Sequence, residues 1–220
     1  MAFTFLRHTI LPLALRRVQV EGLEHVPTDG PFIVVANHQS YLDAVLVAVP
    51  LAVHRDRKAW WLTTEHIWKT FRRIGGTGLL RWLGMLPINE AHKADSLRPA
   101  LERLAGGGVV GIFPEGRRNK RNVNPEWGRV MLKGKTGAAR LALTSGVPVV
   151  PVGLIAPAGG TAFEAIRNFL SPSKPAIVRF GSPLAFSKQD PTTFSRQLLD
   201  EITRQMMLAV AKLCGKEYPH

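Results

Sequence analysis

The chain has 220 residues, 29 Lys and Arg against 16 Asp and Glu, a formal net charge of +13 and a single cysteine, Cys214. One cysteine excludes an intrachain disulfide and a multi-cysteine zinc site. A 45% hydrophobic share falls well short of a multi-spanning membrane protein. The length fits one domain that buries most of its unfolded surface, and the charge favours anionic partners such as nucleic acid, acidic lipid headgroups or phosphorylated substrates.

Residues 3–17 mix Phe3, Phe5, Leu6, Ile10, Leu13 and Leu15 with Arg7, Arg16 and Arg17. That composition suits either an amphipathic helix in a membrane interface, over about residues 1–20, or a helix packed on the domain. Arg7, His8 and Pro12 interrupt the apolar stretch, which lacks a small-residue cleavage pattern and is too short to span a bilayer. After the turn cluster Pro27-Thr28-Asp29-Gly30-Pro31, residues 32–36 (FIVVA) are short, apolar and β-branched, the pattern of a buried strand. Residues 44–49 predict a buried helix that stops near Pro50, and residues 60–62 predict another strand. The same buried-strand pattern recurs at 109–113 and 147–154, with a last strand at 176–180. Helical patterns fall at 94–105, 130–145 and 193–213. The uncharged window 141–163 is long enough to span a bilayer, but glycines and prolines from Gly146 to Gly160 divide it into helix end, strand and loop. This alternation predicts a single α/β domain with a mixed, largely buried sheet flanked by helices.

Between the 32–36 strand and the helix after it lies Asn37-His38-Gln39-Ser40-Tyr41-Leu42-Asp43. On a regular helix His38 and Asp43 would be rotated ~140° apart, so they meet only if the chain bends. A strand end, a polar turn and a helix start at Asp43 supply that bend. So placed, Asp43 holds one imidazole nitrogen while the other takes a proton from a substrate hydroxyl. The alternative is a helix-capping Asp43 beside a loop histidine.

A second block, Phe113-Pro114-Glu115-Gly116-Arg117-Arg118, also follows a predicted strand, at the end of the sheet where open α/β folds bind ligands. Its guanidinium groups suit phosphate oxygens. A solvated charged turn is the alternative.

With these blocks in this order, the chain resembles the glycerolipid acyltransferases of the 1-acylglycerol-3-phosphate (lysophosphatidate) type. Residues 37–43 resemble that family's catalytic HxxxxD motif and residues 84–90 (GMLPINE) its second block. Residues 113–116 (FPEG) resemble its third and 147–153 (VPVVPVG) its fourth. The four lie in a core over about residues 30–155. The resemblance implies acyl transfer in phospholipid biosynthesis, from a thioester donor to a hydroxyl of a lysophospholipid. The donor would be acyl-CoA or acyl carrier protein, with no metal and no other cofactor. His38 would be the general base and Asp43 its orienting partner. Glu115 and Gly116 would shape the acceptor site and Arg118 would contact its phosphate, while Arg117, a departure from the family pattern, is a candidate for the positive charge missing at Glu90. The enzyme would lie peripherally or monotopically on the cytoplasmic face of a membrane. Glu90 stands where the family commonly has arginine, and Arg117 where threonine is usual. The acceptor therefore stays open between lysophosphatidate, glycerol 3-phosphate, another lysolipid and a lipid alcohol.

Two other classes compete. From 117 to 140 the chain carries Lys120, Arg121, Arg129, Lys133 and Lys135 against one acid, Glu126. Nucleic-acid binding would use such a run as a basic surface remote from His38, but Trp127 is its only aromatic, so no row of stacking rings is offered and no nucleic-acid partner is expected. A metal hydrolase would need further ligands converging on His38. Gly75-Gly76-Thr77-Gly78 follows no strand and lacks a P-loop lysine, so it reads as a turn between short helices.

Overall fold

The computed structural model describes residues 16–64, 68–69, 76–82, 84–88, 96–118, 129–156, 161–170 and 176–220. Most of the N-terminal segment expected to be an interfacial helix lies outside these residues. Its last part is strand instead, within β1 (Val18–Glu21). The other strands are β2 (Phe32–Ala36), β3 (Ala59–Thr64), β4 (Met85–Ile88), β5 (Val109–Ile112), β6 (Val149–Ile155) and β7 (Ala176–Phe180). The helices are α1 (Asp43–Arg55), α2 (Thr77–Trp82), α3 (Arg98–Ala105), α4 (Gly137–Ser145), α5 (Ala162–Leu170) and α6 (Arg196–Cys214).

The strands form one sheet in the order β1-β7-β6-β2-β5-β3-β4. All neighbours are parallel except β6 and β7, so the sheet is mixed, as expected. β2 lies between β6 and β5 and is buried along its whole length. Its side chains alternate between faces, as a strand requires. Phe32, Val34 and Ala36 join Leu46, Val47 and Leu51 of α1 on one side. Ile33 and Val35 join the apolar faces of α3, α4 and α6 on the other. Cover on both faces accounts for the uninterrupted apolar run.

The helix expected to stop near Pro50 continues to Arg55. A proline inside a helix removes one backbone hydrogen bond, at about 3 kcal/mol. Burial of Leu51 and Ala52 in the next turn offsets much of it, a buried leucine alone contributing about 1.5–3 kcal/mol. The helix ends at Asp56, whose amide donates to the Leu51 carbonyl. β4 and α5 were not expected from the sequence, and α2 is the short helix expected after the 75–78 turn. Thr77 and Gly78, read there as a turn, begin α2.

α6 runs across β6 at the glycine that closes the fourth sequence block. A Cβ on Gly153 would stand 2.5 Å from the Leu213 carbonyl carbon and 2.6 Å from the Cys214 nitrogen, contacts with backbone that cannot swing aside. Gly153→Ala should therefore lower stability by about 1–3 kcal/mol, the usual range for overpacking a filled core. Urea unfolding of the two proteins checks this, and equal midpoints would show that α6 can move.

Candidate active site

β2 and β5 run parallel and in register, Val35 opposite Ile112, so the chain leaves both strands at the same level and the two sequence blocks meet. The Asn37 side chain carries the ladder one step further toward β6. Its Nδ2 donates to the Leu154 carbonyl at 3.0 Å, and its Oδ1 accepts from the Leu154 amide at 2.7 Å. Gln39 Nε2 donates to the same carbonyl at 2.9 Å.

The turn then folds back on Asp43, the first residue of α1. Asp43 Oδ2 accepts from the Gln39 amide at 2.6 Å, the Ser40 amide at 2.7 Å and His38 Nδ1 at 2.8 Å. These are the expected bend and the expected pair. The amides that stabilise the carboxylate belong to the turn, however, and not to the first turn of the helix. A carboxylate only accepts, so this bond places the proton on Nδ1 and leaves the lone pair on Nε2. Asp43 is fully buried, whereas the His38 side chain is 22% exposed.

The imidazole is also held by its face. Phe113 stacks on it with ring centroids 4.3 Å apart and planes at 15°, and Trp61 stacks on Phe113 at 4.8 Å and 16°. Trp61 is almost fully buried. It has room because position 111 has no side chain: a Cβ there would come within 2.5 Å of the indole.

Glu115 is buried and turned inward. Its Oε1 accepts from the His38 amide at 2.8 Å and its Oε2 from the Leu132 amide at 3.0 Å, tying the two turns to a third segment. Burial pushes its carboxyl above the usual range, while the two amides and the charges of Lys216 and His38 oppose the rise. Gly116, whose amide closes the turn on the Phe113 carbonyl at 3.0 Å, lines the cavity beside His38. The Arg118 guanidinium lies 3.5 Å from the ring centroid of Tyr41, itself a wall of that cavity. Arg117 is exposed. Glu90 lies outside the described residues.

The cavity in front of His38 has a volume of about 780 Å³, within the range of ~300–1,000 Å³ common for small-ligand sites. Leu62, Leu80, Met85, Ile88 and Leu97 give it an apolar side. Lys133, Lys135, Arg140 and Arg196 give it a basic one, and among the described residues no Asp or Glu lines it. Nor do three His, Cys, Asp or Glu side chains gather among the described residues as a metal set would. Sequence reasoning did not single out Trp61, Gln39 or Leu132. Nothing local signals the last two, which act through the fold.

With this geometry in view, similarity to known proteins carries the classification. The family model described as Acyltransferase matches residues 17–155, and the chain belongs to that family. Over 141 residues it is 33% identical to 1-acyl-sn-glycerol-3-phosphate acyltransferase alpha of Mus musculus, covering 62% of this chain and 44% of that one. Over 152 residues it is 31% identical to the chloroplastic 1-acyl-sn-glycerol-3-phosphate acyltransferase LPAT1 of Arabidopsis thaliana, covering 63% and 36%. The chain thus spans less than half the length of these curated relatives. The crystal structure of the 1-acyl-sn-glycerophosphate (LPA) acyltransferase PlsC from Thermotoga maritima shares the fold. Its TM-score is 0.63 at 23% identity, over 100% of this chain and 83% of that one.

The stack makes its own prediction. Gly111→Ala should displace Trp61 and lower stability by about 1–3 kcal/mol, read by urea unfolding. An unchanged midpoint would show that Trp61 repacks without loss and that its position does not depend on the glycine.

Proposed function

We propose that the protein moves a fatty acyl group from a thioester donor, acyl-CoA or acyl carrier protein, to the free hydroxyl of a lysophospholipid, with 1-acylglycerol-3-phosphate as the best-supported acceptor and phosphatidate as the product. The observation that carries this reading is the 2.8 Å bond from His38 Nδ1 to Asp43. It leaves a basic nitrogen on a ring that is stacked in place and lines the cavity. Nε2 takes the proton of the acceptor hydroxyl as its oxygen attacks the thioester carbonyl carbon. The tetrahedral intermediate collapses with cleavage of the C–S bond, and the imidazolium returns the proton to the departing thiolate. Asp43 stabilises the imidazolium while it lasts. No metal or further cofactor enters the scheme.

The two sides of the cavity suit an amphiphile. The apolar side takes an acyl chain, and Lys133, Lys135 and Arg140 face the phosphates of donor or acceptor, with Arg118 and Arg117 nearby on the turn after β5. Glu115 and Gly116 shape the acceptor end, Glu115 by holding the His38 and Leu132 amides. Basic groups lining the same cavity as His38 favour this reading over nucleic-acid binding, for which a separate basic surface was the expected sign.

Peripheral or monotopic attachment to the cytoplasmic face of a membrane belongs to the same proposal. Among the described residues no helix is long and apolar enough to cross a bilayer. α5 follows β6 at the end of the sheet that carries His38, and it exposes Phe163, Ile166 and Leu170 at helical spacing beside the exposed Arg167. Apolar side chains with a cation beside them suit an interface with membrane lipids.

The test is a matrix of acyl-CoA and acyl carrier protein donors against lysophosphatidate, glycerol 3-phosphate, other lysolipids and long-chain alcohols, with purified protein and lipid. Transfer to lysophosphatidate should exceed the rest. His38→Ala should lower kcat by about 10²–10⁴-fold at an unchanged melting temperature, and Asp43→Asn should lower kcat comparably and also lower the melting temperature, because the turn loses its charged acceptor. Full activity of His38→Ala would overturn the mechanism, and preference for another acceptor would move the substrate while keeping the chemistry.

A further inference from the structure

We propose that Lys216 is a positioning residue for the His38–Asp43 pair, delivered beneath it by a clasp between residues 215–218 and residues 129–134. The inference rests on the reading of His38 as the base and adds to it a group outside the stretch that the family model covers.

The clasp is built from backbone. After α6 ends at Cys214, the Lys216 amide donates back to the Ala211 carbonyl at 2.9 Å. The Glu217 amide donates to the Arg129 carbonyl at 2.7 Å, and the Glu217 carbonyl accepts from the Met131 amide at 2.9 Å. Tyr218 Oη accepts from the Gly134 amide at 3.1 Å. The segment so held contains Leu132, whose amide donates to Glu115. The C-terminal residues are thus fastened to the segment that fixes the Glu115 carboxylate.

From this clasp Lys216 reaches inward and donates from Nζ to Gln39 Oε1 at 3.2 Å. Gln39 belongs to the catalytic turn, and its own amide donates to Asp43 Oδ2. The ammonium acts on Glu115 and on Asp43, two carboxylates buried at 4% and 0% exposure. Asp43 Oδ1 is buried with no hydrogen-bond partner among the described residues. Buried carboxylates without a compensating cation are costly and drift toward the neutral acid. Burial in turn pulls the Lys216 amine below its usual range, against the pull of the neighbouring acids. Lys216 thereby favours Glu115 as an acceptor, the state in which it can hold the His38 and Leu132 amides, while its bond to Gln39 steadies the turn whose amides bind Asp43.

The pH dependence follows from the groups that face Glu115. These are His38 from the turn after β2, Lys216 and Cys214 from the end of α6, and the His38 and Leu132 amides. The Cys214 thiol, pushed by burial to about 11, is neutral near pH 7. With Lys216 uncharged, an attraction that opposes the raised Glu115 pKa is lost, so Glu115 protonates at a higher pH. A protonated carboxyl cannot serve both amides, and the turn loosens.

The experiment compares Lys216→Gln, Lys216→Met and Lys216→Arg in the full chain. It follows the Glu115 carboxyl by carbon-13 NMR titration and kcat against pH, with the donor and acceptor that the wild type uses. In both charge-free variants Glu115 should titrate at higher pH and the acid limb of kcat should move the same way. At neutral pH kcat should fall by about tenfold, equivalent to about 1.4 kcal/mol on the barrier, with KM within about twofold. Lys216→Arg should restore both curves toward wild type. A fall in kcat without displacement of either curve would assign Lys216 to the clasp alone and overturn the proposal. So would failure of both charge-free variants to fold while Lys216→Arg folds. A wild type inactive with every donor and acceptor would sink the acyl-transfer reading, yet the Glu115 titration would still decide the role of Lys216.

Discussion

One carboxylate oxygen organises the site. Asp43 Oδ2 accepts from three N–H groups supplied by three consecutive residues, 38, 39 and 40. Without that convergence the segment between β2 and α1 has no reason to double back, and the histidine would project from a polar loop in any of several directions. With it, the backbone of the turn and the plane of the imidazole are set by the same atom. Hydrogen bonds to an ionised acceptor are roughly twice as strong as neutral ones, and burial keeps water from competing. The concentration has a cost. A carboxylate offers about four acceptor positions, and here three donors use one oxygen while the other is buried without a hydrogen bond among the described residues. Deleting the carboxylate would orphan two amides as well as the imidazole.

The sheet makes this local arrangement useful. β2 is central, buried on both faces and parallel to β5 in register. The turn bearing His38 and the turn bearing Glu115 therefore leave the same edge side by side, although 77 residues separate them in the chain. The Asn37 side chain pairs with both polar groups of the Leu154 backbone, which brings β6 to the same point. The first and third sequence blocks follow the carboxyl ends of two neighbouring strands, where ligands of open α/β sheets are bound, and the fourth forms most of β6 beside them.

What the sequence made legible follows from this geometry. β2 and β7 were readable to the residue because a short run rich in β-branched side chains suits a buried strand and little else. Both missed strands, β1 and β4, are the edges of the sheet. An edge strand needs only a partial apolar pattern, and β4 interrupts its own with the exposed Pro87. The stop placed at Pro50 rested on a local rule that tertiary burial of the next helical turn overrode. At the site, His38 and Asp43 could be paired from the sequence because the strand before them and the helix after them demanded a bend. Trp61 and Lys216 could not. The first is selected by a glycine one strand away, and the second reaches the turn from 177 residues further along the chain.

The distribution of charge ties these parts together. The chain carries an excess of cations, yet its two site acids face inward, buried among amides, an imidazole and the Lys216 ammonium, while the cavity wall is basic and apolar with no acid among the described residues. This segregation lets one small volume meet two opposed demands. An exposed carboxylate beside the imidazole would repel an anionic ligand from the cavity. Turned inward, the same carboxylate orients the imidazole from behind, and the cavity lining stays basic. The imidazole stands at the boundary, its Nδ1 edge in the acidic interior and its other edge toward the cavity, and it is the group through which the two environments meet.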